Sequence, residues 1–274
     1  MTTNSSTTPR VSIIVSTYNW PQALELVLKS MLVQTFRPHE IIVADDGSRE
    51  ETKSLIAEIR KGSDIPIIHV WQEDEGFRLA KIRNKAIAKA SGEYIIQIDG
   101  DCILGRHFVE DHLTIVKPNR FLCGRRILLD ERMTAKTLET KRLHLWEGLI
   151  PPSFRDFYNT LRSRLMRKAF AKFYGKKGLS HVIGCNMSFW RSDLLAINGY
   201  NEAYEGWGAE DDDLVIRLLK NGVEKACVKG GGTVYHLHHG AYSQERVDAN
   251  RKLLQKQMES VVCRVELGVD QYLP

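Results

Sequence analysis

Acidic residues in this chain gather where turns follow apolar runs. Asp45-Asp46-Gly47-Ser48 follows Ile41–Ala44, Glu73-Asp74-Glu75-Gly76 follows Ile67–Trp71, and Asp99-Gly100-Asp101 follows Tyr94–Ile98. The first run, which begins at Val11, ends in Ser16-Thr17-Tyr18-Asn19. Further along, Glu210-Asp211-Asp212-Asp213 follows Gly206-Trp207-Gly208, and three histidines close together are His236, His238 and His239. Carboxylates collected at one rim repel one another unless a cation or a donor-rich ligand sits among them. Neither a GxxxxGK[ST] loop nor a GxGxxG turn occurs, so the usual backbone cradles for phosphate are missing and a phosphate ligand needs a metal ion instead. Asp99-Gly100-Asp101 suits that role, because two carboxylates flank a glycine that permits a sharp turn and close approach. Mg2+ or Mn2+ held by one or two carboxylates plus substrate phosphates is a common arrangement.

The elements that must position these residues alternate regularly at first. The runs Val11–Ser16, Ile41–Ala44, Ile67–Trp71 and Tyr94–Ile98 are short, continuous and rich in β-branched residues, as strands buried on both faces of a parallel sheet must be. Helical patterns separate them at Pro21–Val33, Arg49–Arg60 and Leu79–Lys89, and the proline of the first suits an opening helical turn. Such repeats with right-handed crossovers give an α/β doubly wound sheet, which binds ligands beyond the carboxyl ends of its strands. After Cys123 the rhythm changes. Residues Thr134 to Gly178 read as mainly helical with a break at Pro151-Pro152. A strand follows over His181–Trp190, a helix near Asp211, another strand over Gly232–His238 and a last amphipathic helix from about Gln244 to Leu267, with Val247, Leu254, Met258, Val261 and Val265 on one face. The expectation is a polar tail over 1–9 and a single domain over 10–274: a ligand-binding half over 10–124, a second half over 125–243 and a C-terminal helix over 244–274.

Composition narrows the class. A chain of 274 residues, 43% hydrophobic and 27% charged, builds a sizeable core and is not a disordered segment. Five scattered cysteines (Cys102, Cys123, Cys185, Cys227 and Cys263) with no CxxC pair fit reduced thiols better than a disulfide framework or zinc cage. No run approaches the roughly 20 apolar residues that cross a bilayer, and the N-terminus has no signal pattern. A cytoplasmic location follows as the expectation.

VSIIVSTYN, IIVADDGSREET, GFRLAKIRNKAI and the IDGD turn together resemble the inverting glycosyltransferases of family 2, which have the GT-A fold. GCNMSFWR (Gly184–Arg191) and GWGAEDDDL (Gly206–Leu214) are similar to segments of the bacterial chondroitin-polymerase-type enzymes and the animal β-1,4-galactosyltransferases. The resemblance covers about residues 10–124 and 180–240. It implies a UDP-sugar donor, with Ser16, Thr17 and Tyr18 in the uridine pocket, Asp46 accepting the uracil N3–H, and Arg83 near the base or diphosphate. It places Gly100 at the nucleotide-sugar, Asp99 on the ribose or the metal, and Asp101 directly on Mn2+ or Mg2+. His236 is the matching histidine ligand; His238 and His239 are rivals, and an extended strand puts His236 and His238 on one face.

Displacement at an anomeric carbon passes through an oxocarbenium-like state, and inversion needs a base opposite the leaving group. The resemblance makes Asp211 that base, with Asp212 its rival on the acceptor side. Glu210 orients a sugar hydroxyl and Trp207 packs against the acceptor. The glycines around Trp207 lead to the expectation of a flexible segment that closes over the donor and excludes water. Acids also favour helix N-termini without any catalytic duty.

Residues 155–178 carry eight basic side chains against one acid. That concentration points to an anionic partner, since each basic residue near an anionic leaflet contributes ~1 kcal/mol. No recognition fold or base-stacking motif points to nucleic acid. The expected acceptor is a glycan or lipid-linked glycan of a bacterial surface polysaccharide, met at the inner membrane. A catalytically silent nucleotide- or sugar-binding module is the alternative.

Overall fold

The structure is a computed structural model and describes residues 8–142, 161–173, 178–241 and 243–274. β1 (Val11–Thr17), β2 (Glu40–Asp45), β3 (Ile67–Trp71) and β4 (Tyr94–Asp99) pair in parallel, and helices Pro21–Leu32, Glu50–Lys61 and Leu79–Lys89 cross between them. Every residue of β1 and β2 is buried, which accounts for their unbroken Val/Ile runs. Polar exceptions are paired: Ser12 Oγ donates to Glu40 Oε1 at 2.6 Å, and the Ser91 N–H reaches the same oxygen at 2.7 Å.

The later strands are β5 (Cys102–Leu104), β6 (Arg120–Cys123), β7 (Arg125–Leu128), β8 (Asn186–Trp190), β9 (Glu224–Cys227) and β10 (Thr233–His236). The seven-stranded sheet runs β3-β2-β1-β4-β8-β6-β9, with β8 antiparallel to both β4 and β6; a second sheet runs β5-β10-β7. Hydrophobic core covers both faces of the large sheet, with Leu24, Val27 and Val43 on one side and Ile42, Ile82 and Phe189 on the other, and a smaller cluster sits at Leu122 and Ala226. The parallel order reverses between β1 and β4, where a doubly wound sheet opens its ligand crevice. Ser16 on β1 stands in register with Asp99 on β4 at that point.

Some sequence expectations are corrected. The last helix covers Val247–Glu259 and stops well short of Leu267. Lys220 Nζ donates to the carbonyl oxygens of Gln257, Met258 and Ser260, a cation on the terminal carbonyls that ends the helix. Val261 is then 90% exposed. The strand expected over His181–Trp190 is only Asn186–Trp190, because His181 has a left-handed backbone (φ 64°) and Asn186 N–H turns back onto the Ile183 carbonyl. Helices Glu131–Thr140 and Arg164–Phe173 stand in the region expected to be helical. Pro151-Pro152 and most of the terminal tail lie outside the described residues.

Candidate active site

The strand ends at the reversal open into a cavity of about 760 Å³. Ser16, Thr17, Tyr18, Asp46, Arg83, Asp99, Gly100 and Asp101 line it from the first half, and Trp207, Glu210, Asp211 and Asp212 from the second. Every residue given a site role by the resemblance therefore lines this cavity except the histidines, of which His236 and His239 lie beside Asp101.

Arg83, 1% exposed, is the hub. Its Nη2 donates to Asp99 Oδ1 at 3.0 Å, its Nη1 to Asp211 Oδ1 at 3.0 Å, and its Nε to Ser16 Oγ at 3.3 Å. Glu210 Oε1 lies 3.6 Å away and the Tyr200 ring centroid 5.2 Å. Burial works against the guanidinium charge, but Asp211, Tyr200, Asp99 and Glu210 more than offset it and raise its pKa. Helix Leu79–Lys89 thus supplies one cation that ties the end of β4 to the acidic helix Glu210–Lys220. Asp99, expected on the ribose or metal, has one oxygen, Oδ1, paired with Arg83.

Among the described residues, the hydrogen bonds to Asp211 fall on Oδ1. Oδ1 receives Arg83 and lies 2.9 Å from the Tyr200 hydroxyl, which is also 2.8 Å from Gln97 Oε1. Gln97 in turn donates to the Gly184 carbonyl at 2.9 Å. A Cβ on Gly184 would stand 1.8 Å from Asp211 Oδ2, so only glycine leaves that oxygen its place. Glu210, beside it, has its carboxyl pushed up to about 8 by burial and by the charge of Asp211, while Arg83 pulls it back. Its Oε2 has no hydrogen-bond partner among the described residues. A carboxyl kept protonated near neutral pH can donate a hydrogen bond, and a neighbouring carboxylate can take a proton.

Asp101 faces two imidazoles. Asp101 Oδ1 is 3.7 Å from His236 Nε2 and Oδ2 is 3.3 Å from His239 Nε2; ligand atoms of the three residues lie within 4.8 Å of one another. The reason is local pairing: β10 sets His236 opposite Cys102, and the Leu237 N–H donates to the Asp101 carbonyl. The strand ends at His236, so the alternation that groups His236 with His238 does not continue. His238 is exposed, its N–H on Thr134 Oγ1, and His239 turns in instead. His239 Nδ1 lies 2.7 Å from the Gly240 carbonyl, which can only accept, so Nδ1 donates there and Nε2 is the nitrogen turned to Asp101. Burial pushes the His236 imidazole down from its usual range against the pull of Asp101, favouring the neutral form that ligates metals. One carboxylate with two imidazoles is a donor set that suits a first-row transition-metal ion better than Mg2+, which prefers oxygen ligands.

Asp46 sits at the other end of the cavity. Gln72 Nε2 donates to its Oδ1 at 2.6 Å and the Arg78 N–H to its Oδ2 at 2.8 Å. Burial raises this carboxyl to about 6, those two donors opposing the shift. If Asp46 accepts a base N–H, uridine binding weakens as pH falls through about 6, where the carboxylate gains a proton. Asp46→Asn should remove that step. Titrating with uridine, which has no phosphate to titrate, checks it: an unchanged pH step in Asp46→Asn assigns the effect elsewhere.

The segment at Trp207, expected to be flexible, is hydrogen-bonded along its backbone. Asn250, buried on helix Val247–Glu259, donates its amide to the carbonyls of Glu205 (3.0 Å), Gly208 (3.0 Å) and Trp207 (3.4 Å). Gly206 N–H donates to the Phe77 carbonyl, and Glu205 pairs with both Arg78 and Arg246. Gly206 and Gly208 have left-handed backbones, and so does Ala209 (φ 75°), a strained position for a residue with a Cβ. Trp207 is left 42% exposed at the cavity mouth. Tyr200, Gln97 and Asn250 escaped the sequence reading. They sit in no acidic cluster, and only tertiary contact shows what they hold.

The family model described as "Glycosyl transferase family 2" matches residues 12–196, and one described as "N-terminal domain of galactosyltransferase" matches residues 164–240. The chain is 25% identical to a chondroitin synthase of Escherichia coli over 82% of its own length and 34% of that protein's. It is 28% identical to a hyaluronan synthase of Pasteurella multocida over 77% of itself and 23% of that chain. A validoxylamine A glucosyltransferase of Streptomyces hygroscopicus subsp. limoneus is 27% identical, covering 80% and 50%. The chain thus spans from 23% to 50% of the length of these relatives. Among solved structures, the mannosyltransferase PcManGT of Pyrobaculum calidifontis, in complex with GDP-Man and Mn2+, superposes with a TM-score of 0.61 at 21% identity, covering 92% of this chain and 64% of that one. S. aureus TarS in complex with UDP-GlcNAc superposes at 0.61 and 15% identity, covering 96% and 69%. These likenesses establish the GT-A fold, and with the family model matching through most of the large sheet the chain belongs to glycosyl transferase family 2.

Proposed function

We propose that the protein is a metal-dependent, inverting glycosyltransferase that moves a hexose or N-acetylhexosamine from a UDP-sugar to a glycan or lipid-linked glycan, working on a surface polysaccharide at the cytoplasmic face of a membrane. The observation that carries this reading is that Asp211 and Asp101 line one cavity, with His236 and His239 gathered at Asp101. In this reading residues 10–124 hold the nucleotide-sugar, 125–243 the acceptor and the catalytic acid, and 244–274 brace the acceptor segment within a single domain.

Uridine lies between Tyr18 and Asp46, with Ser16 and Thr17 at the ends of its ribose and Gly100 leaving room beside them. Asp101, His236 and His239 hold the divalent ion, which when bound stabilises negative charge growing on the departing diphosphate. Arg83 keeps Asp99 and Asp211 at a fixed separation, so that the nucleotide side and the base side move as one body. The acceptor hydroxyl, packed with its sugar ring on Trp207 and against Asp212, gives its proton to Asp211 Oδ2. Its oxygen bonds the anomeric carbon as the bond from that carbon to phosphate breaks, and UDP leaves. Protonated Glu210 donates to a sugar hydroxyl and orients the ring. Bracing of the Trp207 segment by Asn250 keeps water from the same position.

Release of free UDP from a panel of UDP-sugars with Mn2+ tests the reading. Turnover that disappears with chelator supports it. Nucleotide binding with no turnover for any donor and acceptor would favour the silent binding module.

A further inference from the structure

Helix Arg164–Phe173 presents an unusual outer face. Its inner face lies on β9 and is anchored by Arg167, 1% exposed, which pairs with Asp111 at 2.8 Å and donates to the Gly230 carbonyl. Ala171 is buried beside it. The outer face carries Leu165, Ala169 and Phe173 at successive four-residue steps, one stripe along the helix. Leu165 is 83% and Phe173 84% exposed. Arg164, Lys168 and Lys172, also exposed, form the adjoining stripe at the same spacing. No Asp or Glu occurs between Asp156 and Asp193 in the sequence. A lone exposed apolar side chain on a soluble surface needs no explanation, but two large ones aligned on a helix and flanked by cations do.

We infer that this face of helix Arg164–Phe173 docks on an anionic phospholipid surface, with Leu165 and Phe173 entering the headgroup boundary and Arg164, Lys168 and Lys172 meeting lipid phosphates. Both stripes are needed for that partner. Basic side chains lay their stems along the apolar stripe and keep their charges at headgroup depth, while Leu and Phe bury in the acyl boundary. Nucleic acid would account for the charge but leaves Leu165 and Phe173 in water. An acidic protein surface has the same shortcoming. The inference deepens the proposed function and rests on it only for the purpose of the docking, which brings the cavity to a lipid-borne acceptor.

Co-sedimentation of the full chain with vesicles of phosphatidylcholine, alone or mixed with phosphatidylglycerol, tests it. Binding is expected to the mixed vesicles and to weaken with added salt. Each cation contributes about five-fold, so Arg164→Gln/Lys168→Gln/Lys172→Gln should weaken binding on the order of 100-fold. Leu165→Ser/Phe173→Ser should weaken it at least about tenfold with all charges in place. These side chains are exposed, so thermal midpoints and UDP release towards a soluble acceptor should match wild type. Equal binding to both vesicle types, full binding by the Leu165/Phe173 variant, or tighter binding to a single-stranded RNA than to anionic vesicles would each overturn the inference. Vesicle binding without UDP release in the wild type would count against the transferase reading and leave the docking standing.

Discussion

Asp211→Asn is expected to lower turnover about 10³-fold while leaving the apparent affinity for the UDP-sugar within a few-fold of wild type. The substitution is nearly isosteric. Its amide oxygen still accepts from Arg83 Nη1 and the Tyr200 hydroxyl, now 3.0 and 2.9 Å from Asp211 Oδ1. What disappears is the basicity of the atom facing Gly184, where a Cβ would come within 1.8 Å. The proposed donor contacts at Asp46 and Asp101 lie in the turns after β2 and β4, off the helix that carries Asp211, and stay intact. Steady-state UDP release together with UDP binding by calorimetry checks the split. Wild-type turnover in this variant would transfer the role of base to Asp212, and a matching loss of UDP affinity would mean that Asp211 holds the donor.

Replacing Arg83 should have the largest effect on the folded state. Arg83→Met leaves Asp99, Glu210 and Asp211 gathered around no cation, and breaking a buried pair in this way costs about 3–5 kcal/mol. For a chain of this size that corresponds to a thermal midpoint lower by roughly 10 °C. Arg83→Lys restores the charge but not the fork that reaches Asp99 and Asp211 from separate nitrogens. It should recover most of the stability while turnover stays at least about tenfold down. Melting curves and UDP release measured on both variants separate the two roles. Equal activity in Arg83→Lys and wild type would show that charge alone is required there.

The first half of the fold was legible because β1, β2 and β4 are buried on both faces. Ile13, Ile42 and Ile96 announce themselves as continuous apolar runs, and crossover rules then place the acidic turns at one edge. β8 was harder. Its insertion between β4 and β6, antiparallel to both, depends on long-range pairing that a one-dimensional pattern does not encode. The histidines illustrate the same limit at finer scale. Period-two reasoning holds only while the strand lasts, and the ladder ends at His236, two residues too early to bring His238 to Asp101. Val261 continues the helical spacing of Leu254 and Met258, yet Lys220, distant in sequence, closes that helix at Glu259. Asp99 carried a metal-binding motif in the sequence, and the arginine that takes up one of its oxygens sits a strand and a turn away. Sequence therefore disclosed which residues meet in the cavity, and tertiary pairing decided how they divide the work.

The central claim is that Asp101, His236 and His239 hold one divalent ion against the donor diphosphate, across the cavity from Asp211. Crystals grown with UDP and Mn2+ and measured at the manganese absorption edge test it most directly. The account predicts a single anomalous peak bonded to those three side chains and to phosphate oxygens. A peak held by Asp99 or Glu210 instead, or UDP bound with no manganese near Asp101, would contradict it.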